Sequence, residues 1–146
     1  MGCHVRRYMT KHVNTINNSM SVTEATKIIA QDNCYDGYVV VLHKGQPVGM
    51  VSERDIIKQV VAQDRDPSTT PVSDIMSTPL HMIDPDEDLA KVTQMMRKHG
   101  VRKLIVAKDN IIQGVITSKD VSNKFQDYIK ASIQDMLRWS SSLSVF

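Results

Sequence analysis

Cysteine is scarce: the chain has only Cys3 and Cys34, with no Cys-x-x-Cys spacing. That suggests neither zinc nor a disulfide framework, and unpaired thiols fit a reducing, cytoplasmic setting. The opening Met1-Gly2-Cys3-His4-Val5-Arg6-Arg7 lacks the apolar core of a secretory signal. No stretch reaches the roughly 18 apolar residues needed to span a bilayer, so no membrane partner is expected. Charge of one sign is not in excess: Lys and Arg number 18, Asp and Glu 16, a net charge of +2. That is too balanced to imply nucleic acid or a membrane surface by itself. His4, His12, His43, His81 and His99 show no spacing of the His-x-x-x-His kind, so no metal is expected. No nucleophile elbow, P-loop or pair of catalytic carboxylates appears, which argues against an enzyme and against a required cofactor.

What is present is an ordinary globular composition: 146 residues, 41% hydrophobic and 23% charged. Half that length would bury only a marginal core, so two halves should share one. The nine methionines suit irregular core packing. A shift of roughly 67 residues brings Met9 onto Met76, Ile16 onto Ile83, Val22 onto Leu89, Ile29 onto Met96 and Val39 onto Val106. A hairpin shorter by two is then expected to move the register. Gly49 lands on Gly114, Ser52 on Thr117, Arg54 on Lys119 and Asp55 on Asp120.

Each half reads as β-α-β-β-α, an α/β (α+β) pattern. Short first strands are expected around His12–Ile16 and Leu80–Ile83. The first helix has Ser21-Val22-Thr23-Glu24 as a capping box and a stripe of Val22, Ala25, Ile28 and Ile29. Its counterpart follows a turn and cap at Asp84-Pro85-Asp86, with Leu89, Val92, Met95 and Met96 as the stripe. Hairpins then join Tyr38–Leu42 to Pro47–Val51, and Leu104–Ala107 to Ile111–Ile116. The closing helices carry Ile56, Ile57, Val60 and Val61 in one half, and Val121, Phe125, Tyr128 and Ile129 in the other. The expected organisation is one tandem module: motif 1 over 1–62, a solvated linker over 63–71, motif 2 over 72–130, and a helix or tail over 131–146. Trp139, Leu143, Val145 and Phe146 have no obvious place in either repeat.

The polar matches concentrate in Gly-Met-Val-Ser-Glu-Arg-Asp at 49–55 and Gly-Val-Ile-Thr-Ser-Lys-Asp at 114–120. Helix capping explains the hydroxyl and the acid in either copy alone. The same geometry suits an anion, because a helix start presents N–H groups, and the hydroxyl and basic residue add phosphate donors. An Asp in the first turn can hold vicinal ribose hydroxyls. Capping does not require a basic residue before the Asp, yet it occurs in both copies.

On these repeats and signatures, the sequence resembles a CBS-domain pair from roughly Val5 to Phe125. The resemblance implies two motifs packed through their sheets with pseudo-twofold symmetry. It also implies two clefts for AMP, ADP, ATP, S-adenosylmethionine or a related adenosyl ligand. Ribose would fall to Asp55 and Asp120, and phosphate to Ser52 and Thr117, beside Arg54 and Lys119. The base would lie between the first strands, at Val13-Asn14 and Leu80-His81, and the stretches Cys34-Tyr35-Asp36-Gly37 and Val101-Arg102-Lys103-Leu104. His81 could stack on it. Both central strands, Gly37-Tyr38-Val39 and Leu104-Ile105-Val106, lack the proline common in the family. Arg102-Lys103 stand opposite Tyr35-Asp36, so one cleft should favour a di- or triphosphate and the two should be unequal.

The expected function is therefore regulatory: an adenosyl-ligand sensor acting on a partner protein whose identity the sequence does not give. The resemblance adds a homodimer. The alternative is an interaction module that binds no nucleotide. Nucleic-acid binding would need a clustered basic stripe, and the charges here are mixed.

Overall fold

The computed structural model describes residues 2–31 and 37–143, with side chains through Ser141. Its elements repeat in order. β1 (Thr15–Asn17), α1 (Val22–Ile29), β2 (Tyr38–His43), β3 (Gln46–Ser52) and α2 (Glu53–Ile56) form the first half. α2 runs on as a π-helical turn over Ile57–Val61. The second half has β4 (Met82–Ile83), α3 (Leu89–His99), β5 (Lys103–Lys108), β6 (Ile111–Thr117) and α4 (Ser118–Leu143). Each half makes one three-stranded sheet, with β1-β2-β3 in one and β4-β5-β6 in the other. The first pair is parallel and the hairpin antiparallel in each.

Alternation along the strands gives each sheet two apolar faces. Val39, Val41 and Val51 pack on the first half's helices, as Leu104, Val106 and Ile116 do in the second. The other faces meet: Tyr38, Val40, Ile105 and Val115 are buried together, with Val13, Leu42, Met50, Leu80, Met82 and Ile112 against them. This shared layer is why neither half needs a complete core of its own.

The segments ahead of each first strand cross over. Val5 is buried against Ile83, Val92 and Leu104 of the second half. Val72 and Ile75 are buried in the first half's core. Backbone bridges seal the exchange, Thr10 to Val115 and Ser77 to Met50. The signature glycines lie beneath these crossings. A Cβ on Gly114 would meet Thr10 O at 2.4 Å, and one on Gly49 would meet Met76 Sδ at 2.8 Å and Ser77 O at 3.0 Å. The glycine is thus fixed by chain packing. Arg6 is held by Asp86, which Lys108 also contacts at 3.0 Å.

Several local expectations change. The two hairpins are equal in length, with two-residue turns at Lys44-Gly45 and Asp109-Asn110. The register shift arises earlier, between Ile29 and Gly37, where the first half is two residues longer than the second is between Met96 and Arg102. In true register Arg102-Lys103 therefore match Gly37-Tyr38, not Tyr35-Asp36, and Val39 matches Leu104, not Val106. β1 and β4 begin later than expected, because Val13 and Leu80 enter the shared core before strand pairing starts. The α3 cap is Asp88, whose side chain accepts from Lys91 N; Asp84 instead accepts from Asp86 N, making the turn before it. The Ser21 hydroxyl caps α1, while Glu24 faces Lys27 at 3.6 Å. The linker is exposed over 63–69 and pinned at its end. Thr70 is buried, and Val22 N and Thr23 N donate to Thr70 O and Pro67 O, which satisfies the first turn of α1. α4 continues past Leu137 to Leu143.

Candidate functional site

A cleft of about 540 Å³ opens between the halves, within the usual range for small-molecule sites. Its lining is composite. The first half gives Met50, Ser52, Arg54 and Asp55; the second gives Leu80, His81, Val101, Arg102 and Lys103. Ser77, Thr78, Pro79 and Gly100 complete it. The signature of one half thus faces the expected base walls of the other.

Local folding explains how Asp55 is held. β3 ends at Ser52, which caps α2 in extended conformation. Asp55 Oδ2 accepts from Ser52 N at 2.9 Å and from the Ser52 hydroxyl at 3.0 Å, and Ser52 Oγ accepts from Asp55 N at 3.2 Å. Ser77 Oγ donates to the other oxygen, Asp55 Oδ1, at 3.1 Å. Ser77 reaches this point because its backbone bridges Met50. Capping therefore accounts for Oδ2, whereas Oδ1 accepts from Ser77, another residue of the cleft lining, and a carboxylate oxygen can accept one bond more. Ser77 is a site residue that the repeat signature alone does not reveal. It occupies the place of Thr10 in the first half, and that match was the available signal.

The second wall is organised by β5 and α3. α3 stops at Gly100, which takes a left-handed conformation (φ 64°) and returns the chain into the cleft. Arg102 O accepts from Ser118 N at 2.8 Å, tying this wall to the start of α4. Lys103 Nζ sits 4.1 Å from the centroid of the Tyr38 ring. His81 does not stand alone as a stacking surface: its ring stacks on His99 at 4.1 Å between centroids and 21° between planes. Desolvation, then the neighbouring His81 and Lys98, pull the His99 pKa below the ordinary imidazole value.

The second signature repeats the first. Thr117 N and the Thr117 hydroxyl donate to Asp120 Oδ2 at 2.9 and 3.0 Å, and Asp120 N donates to Thr117 Oγ1 at 3.2 Å. Thr117, Lys119 and Asp120 do not join the cleft just described. Nor do Val13 and Asn14, which hold the places equivalent to Leu80 and His81. Val40 N donates to Asn14 O at 2.9 Å, as Ile105 N does to His81 O at 3.0 Å. Gly37 O accepts from Glu53 N at 2.9 Å, mirroring Arg102 and Ser118. Cys34, Tyr35 and Asp36 lie outside the described residues. Among the described residues no group of three His, Cys, Asp or Glu side chains is placed to hold a metal ion. No helix among them is long and apolar enough to cross a membrane.

Comparison with known proteins agrees with this geometry. The model of the CBS domain matches twice, over residues 5–62 and 72–127. The CBS domain-containing protein YhcV of Bacillus subtilis is 33% identical over 118 residues, 81% of this chain and 82% of that protein. An uncharacterized Methanocaldococcus jannaschii protein, MJ1404, is 31% identical over 88% of this chain, which spans only 33% of its length. The crystal structure of the CBS domain pair of protein MJ0100, in complex with 5′-methylthioadenosine and S-adenosyl-L-methionine, superposes with a TM-score of 0.75. It is 25% identical, covering 88% of this chain and 99% of that one. Each half thus matches one copy of the same domain, and this chain belongs to the CBS-domain family, with two CBS motifs forming one pair.

Proposed function

We propose that the chain is a regulatory module that binds an adenosyl ligand (AMP, ADP, ATP or S-adenosylmethionine) and passes its occupancy to a partner protein. One observation carries this: Ser52, Arg54 and Asp55 of one half line the same cleft as Leu80, His81, Arg102 and Lys103 of the other. A ligand bridging these groups touches both halves, so it favours whichever relative arrangement suits it. The adenosyl compounds in the MJ0100 pair support this choice of ligand class. Asp55 would take ribose through Oδ1, with the purine against Leu80 and Val101. Asp120, Thr117 and Lys119 would serve the equivalent place in the other half, with Val13, Asn14 and Gly37.

Thermal unfolding with AMP, ADP, ATP, S-adenosylmethionine, GTP and NAD tests the reading. A ligand at about 100 times its Kd stabilises by about 2.7 kcal/mol, a shift of several degrees for a chain this size. A shift with an adenosyl compound is expected; a flat panel would leave Asp55 and Asp120 as helix caps only.

A second reading, self-association, rests on a different observation. α4 exposes Phe125, Tyr128, Ile129, Ile133, Met136, Leu137 and Trp139. An apolar surface of this extent on one helix marks an interface, and we propose that a second copy of the chain covers it. A homodimer is compatible with ligand binding.

A further inference from the structure

The following rests on the adenosyl-binding reading of the composite cleft and concerns how that site is regulated. We infer that the stacked imidazoles of His81 and His99 make occupancy of the cleft sensitive to pH, a bound ligand being held more weakly once both rings are protonated.

The second half lines the cleft with two stretches, Ser77 to His81 ahead of β4 and Gly100 to Lys103 leading into β5. His81 ends the first stretch, and His99 closes α3 immediately before the second. Their rings lie 4.1 Å apart between centroids and 21° from parallel, so they join the two stretches through side chains. A backbone bond from Ile105 N to His81 O, at 3.0 Å, joins them again further along β5. Gly100, at φ 64°, turns the chain from His99 into the cleft wall, so the stack fixes where that wall begins.

Two neutral rings can stack, and so can a charged ring on a neutral one, where the cation meets a π face. A second proton puts like charges on rings only 4.1 Å apart, and their repulsion parts the stack. The charged groups around the pair are Lys98 beside His99 on α3, Arg102 and Lys103 from β5, and Arg54 and Asp55 from α2. Lys103 is engaged at the Tyr38 ring. Asp55, the one acid of the described lining, accepts from Ser52 and Ser77. Desolvation, then His81 and Lys98, hold the His99 pKa below 6.5, the direction expected where the surroundings oppose a further positive charge. The first half has Asn14, which does not titrate, in the place of His81: Val40 N donates to Asn14 O as Ile105 N does to His81 O. The pair is therefore a feature of this cleft and not of the repeat.

Isothermal titration of the full chain with adenosine and with 5′-methylthioadenosine, at pH 7.5 and pH 5.5, tests the inference, since neither compound titrates in that range. Binding at least about fivefold weaker at pH 5.5 is expected, a coupling of ordinary size. By reciprocity a bound ligand opposes proton uptake. At pH 6 binding should therefore release protons, read as a difference in heat between two buffers of different ionisation enthalpy. His99→Phe keeps a ring on His81 that cannot take a proton, and should bind equally well at both pH values. His99→Ala has no ring to stack and should bind weakly at both. Each variant retains Asp55, so the comparison separates the stack from that carboxylate. With a charged ligand such as ATP, the unaltered chain is compared with His99→Phe, because the ligand's own titration is common to both. Equal affinity of the unaltered chain at the two pH values, or a pH effect that His99→Phe leaves unchanged, would overturn the inference and leave the adenosyl reading standing. If neither compound binds at pH 7.5, and neither ATP nor S-adenosylmethionine does, that reading falls, and this inference with it.

Discussion

Lys103 Nζ lies 4.1 Å from the centroid of the Tyr38 ring, and the two residues occupy the same place in their repeats. Tyr38 pairs with Ser52 at the open end of one hairpin, and Lys103 with Thr117 at the open end of the other. Equivalent positions that touch must lie beside the pseudo-twofold axis. The contact therefore ties the halves together where the composite cleft begins. A double-mutant cycle of Tyr38→Leu and Lys103→Met, followed by urea unfolding, should give a coupling of about 0.5–2 kcal/mol. Strict additivity would mean the ammonium only happens to overlie the ring.

The signature glycines give a prediction about the crossed segments. Gly114→Ala should destabilise by about 1–3 kcal/mol, as overpacking does. Its added Cβ would meet a backbone oxygen, Thr10 O, at 2.4 Å. Gly49→Ala should cost less, because the nearest atom is Met76 Sδ at 2.8 Å, on a side chain that can turn aside. Unfolding midpoints of the two variants check the order. A Gly49→Ala effect larger than that of Gly114→Ala would show that the crossings are not what fixes these positions.

Asp55 and Ser77 separate capping from ligand binding. Asp55→Ala removes a cap and should cost about 0.5–2 kcal/mol in the absence of ligand. It should also abolish the ligand-induced thermal shift. Ser77→Ala leaves the Ser52–Asp55 bonds in place but removes the donor to Asp55 Oδ1. It should cost about 1 kcal/mol and weaken ligand binding without abolishing it. An unchanged ligand shift in Asp55→Ala would assign Asp55 to capping alone.

His99 predicts a pH dependence. Desolvation, His81 and Lys98 hold its folded-state pKa below the ordinary value of 6.5. Between the folded and unfolded pKa values the unfolded chain binds more protons, so stability rises with pH there. The contribution is fully present above about pH 6.5 and is lost as pH falls through the lower folded value. Urea midpoints measured from pH 7.5 down to pH 5 should decline, and His99→Gln should flatten that decline. An identical slope in the variant would place the titration elsewhere.

Much of the fold was readable because each repeat confirms the other. The helical stripe at Val22, Ala25 and Ile29 reappears at Val92 and Met96, and all five side chains are buried. The composite cleft was partly readable. The Ser/Thr and Asp of the signature were visible, but no periodicity says that Asp55 faces Arg102 and not its own half's wall. That arrangement depends on the shared sheet faces, a tertiary fact. Ser77 was hidden for the same reason: its role comes from a backbone bridge to Met50, far from it in the chain. The register shift was misplaced because apolar strands such as Tyr38–His43 and Lys103–Lys108 match nearly as well two residues apart. The outward half of the α2 stripe was unreadable too. Ile56 and Val60 turn inward, while Ile57 and Val61, one residue on, are exposed.

The exposed face of α4 carries the last prediction. Val121, in the first turn, packs on the second half's core. From Phe125 onward the helix leaves the core. Phe125, Ile129, Met136 and Trp139 fall on one side at helical spacing, with Lys130, Gln134 and Arg138 opposite. A helix of this length gains little from propensity alone, so an unpartnered apolar stripe would fray in water. Pairing with a second copy would stabilise it, and a twofold arrangement lets the same stripe serve both chains. The full chain should therefore sediment as a dimer, and a chain ended after Lys130 as a monomer with its adenosyl-ligand shift intact. Replacing Ile129 and Met136 with Glu should reproduce the monomer without shortening the helix. A full chain that remains monomeric at tens of micromolar would show that the stripe serves a different protein, and the same charge variants would then identify the surface that partner uses.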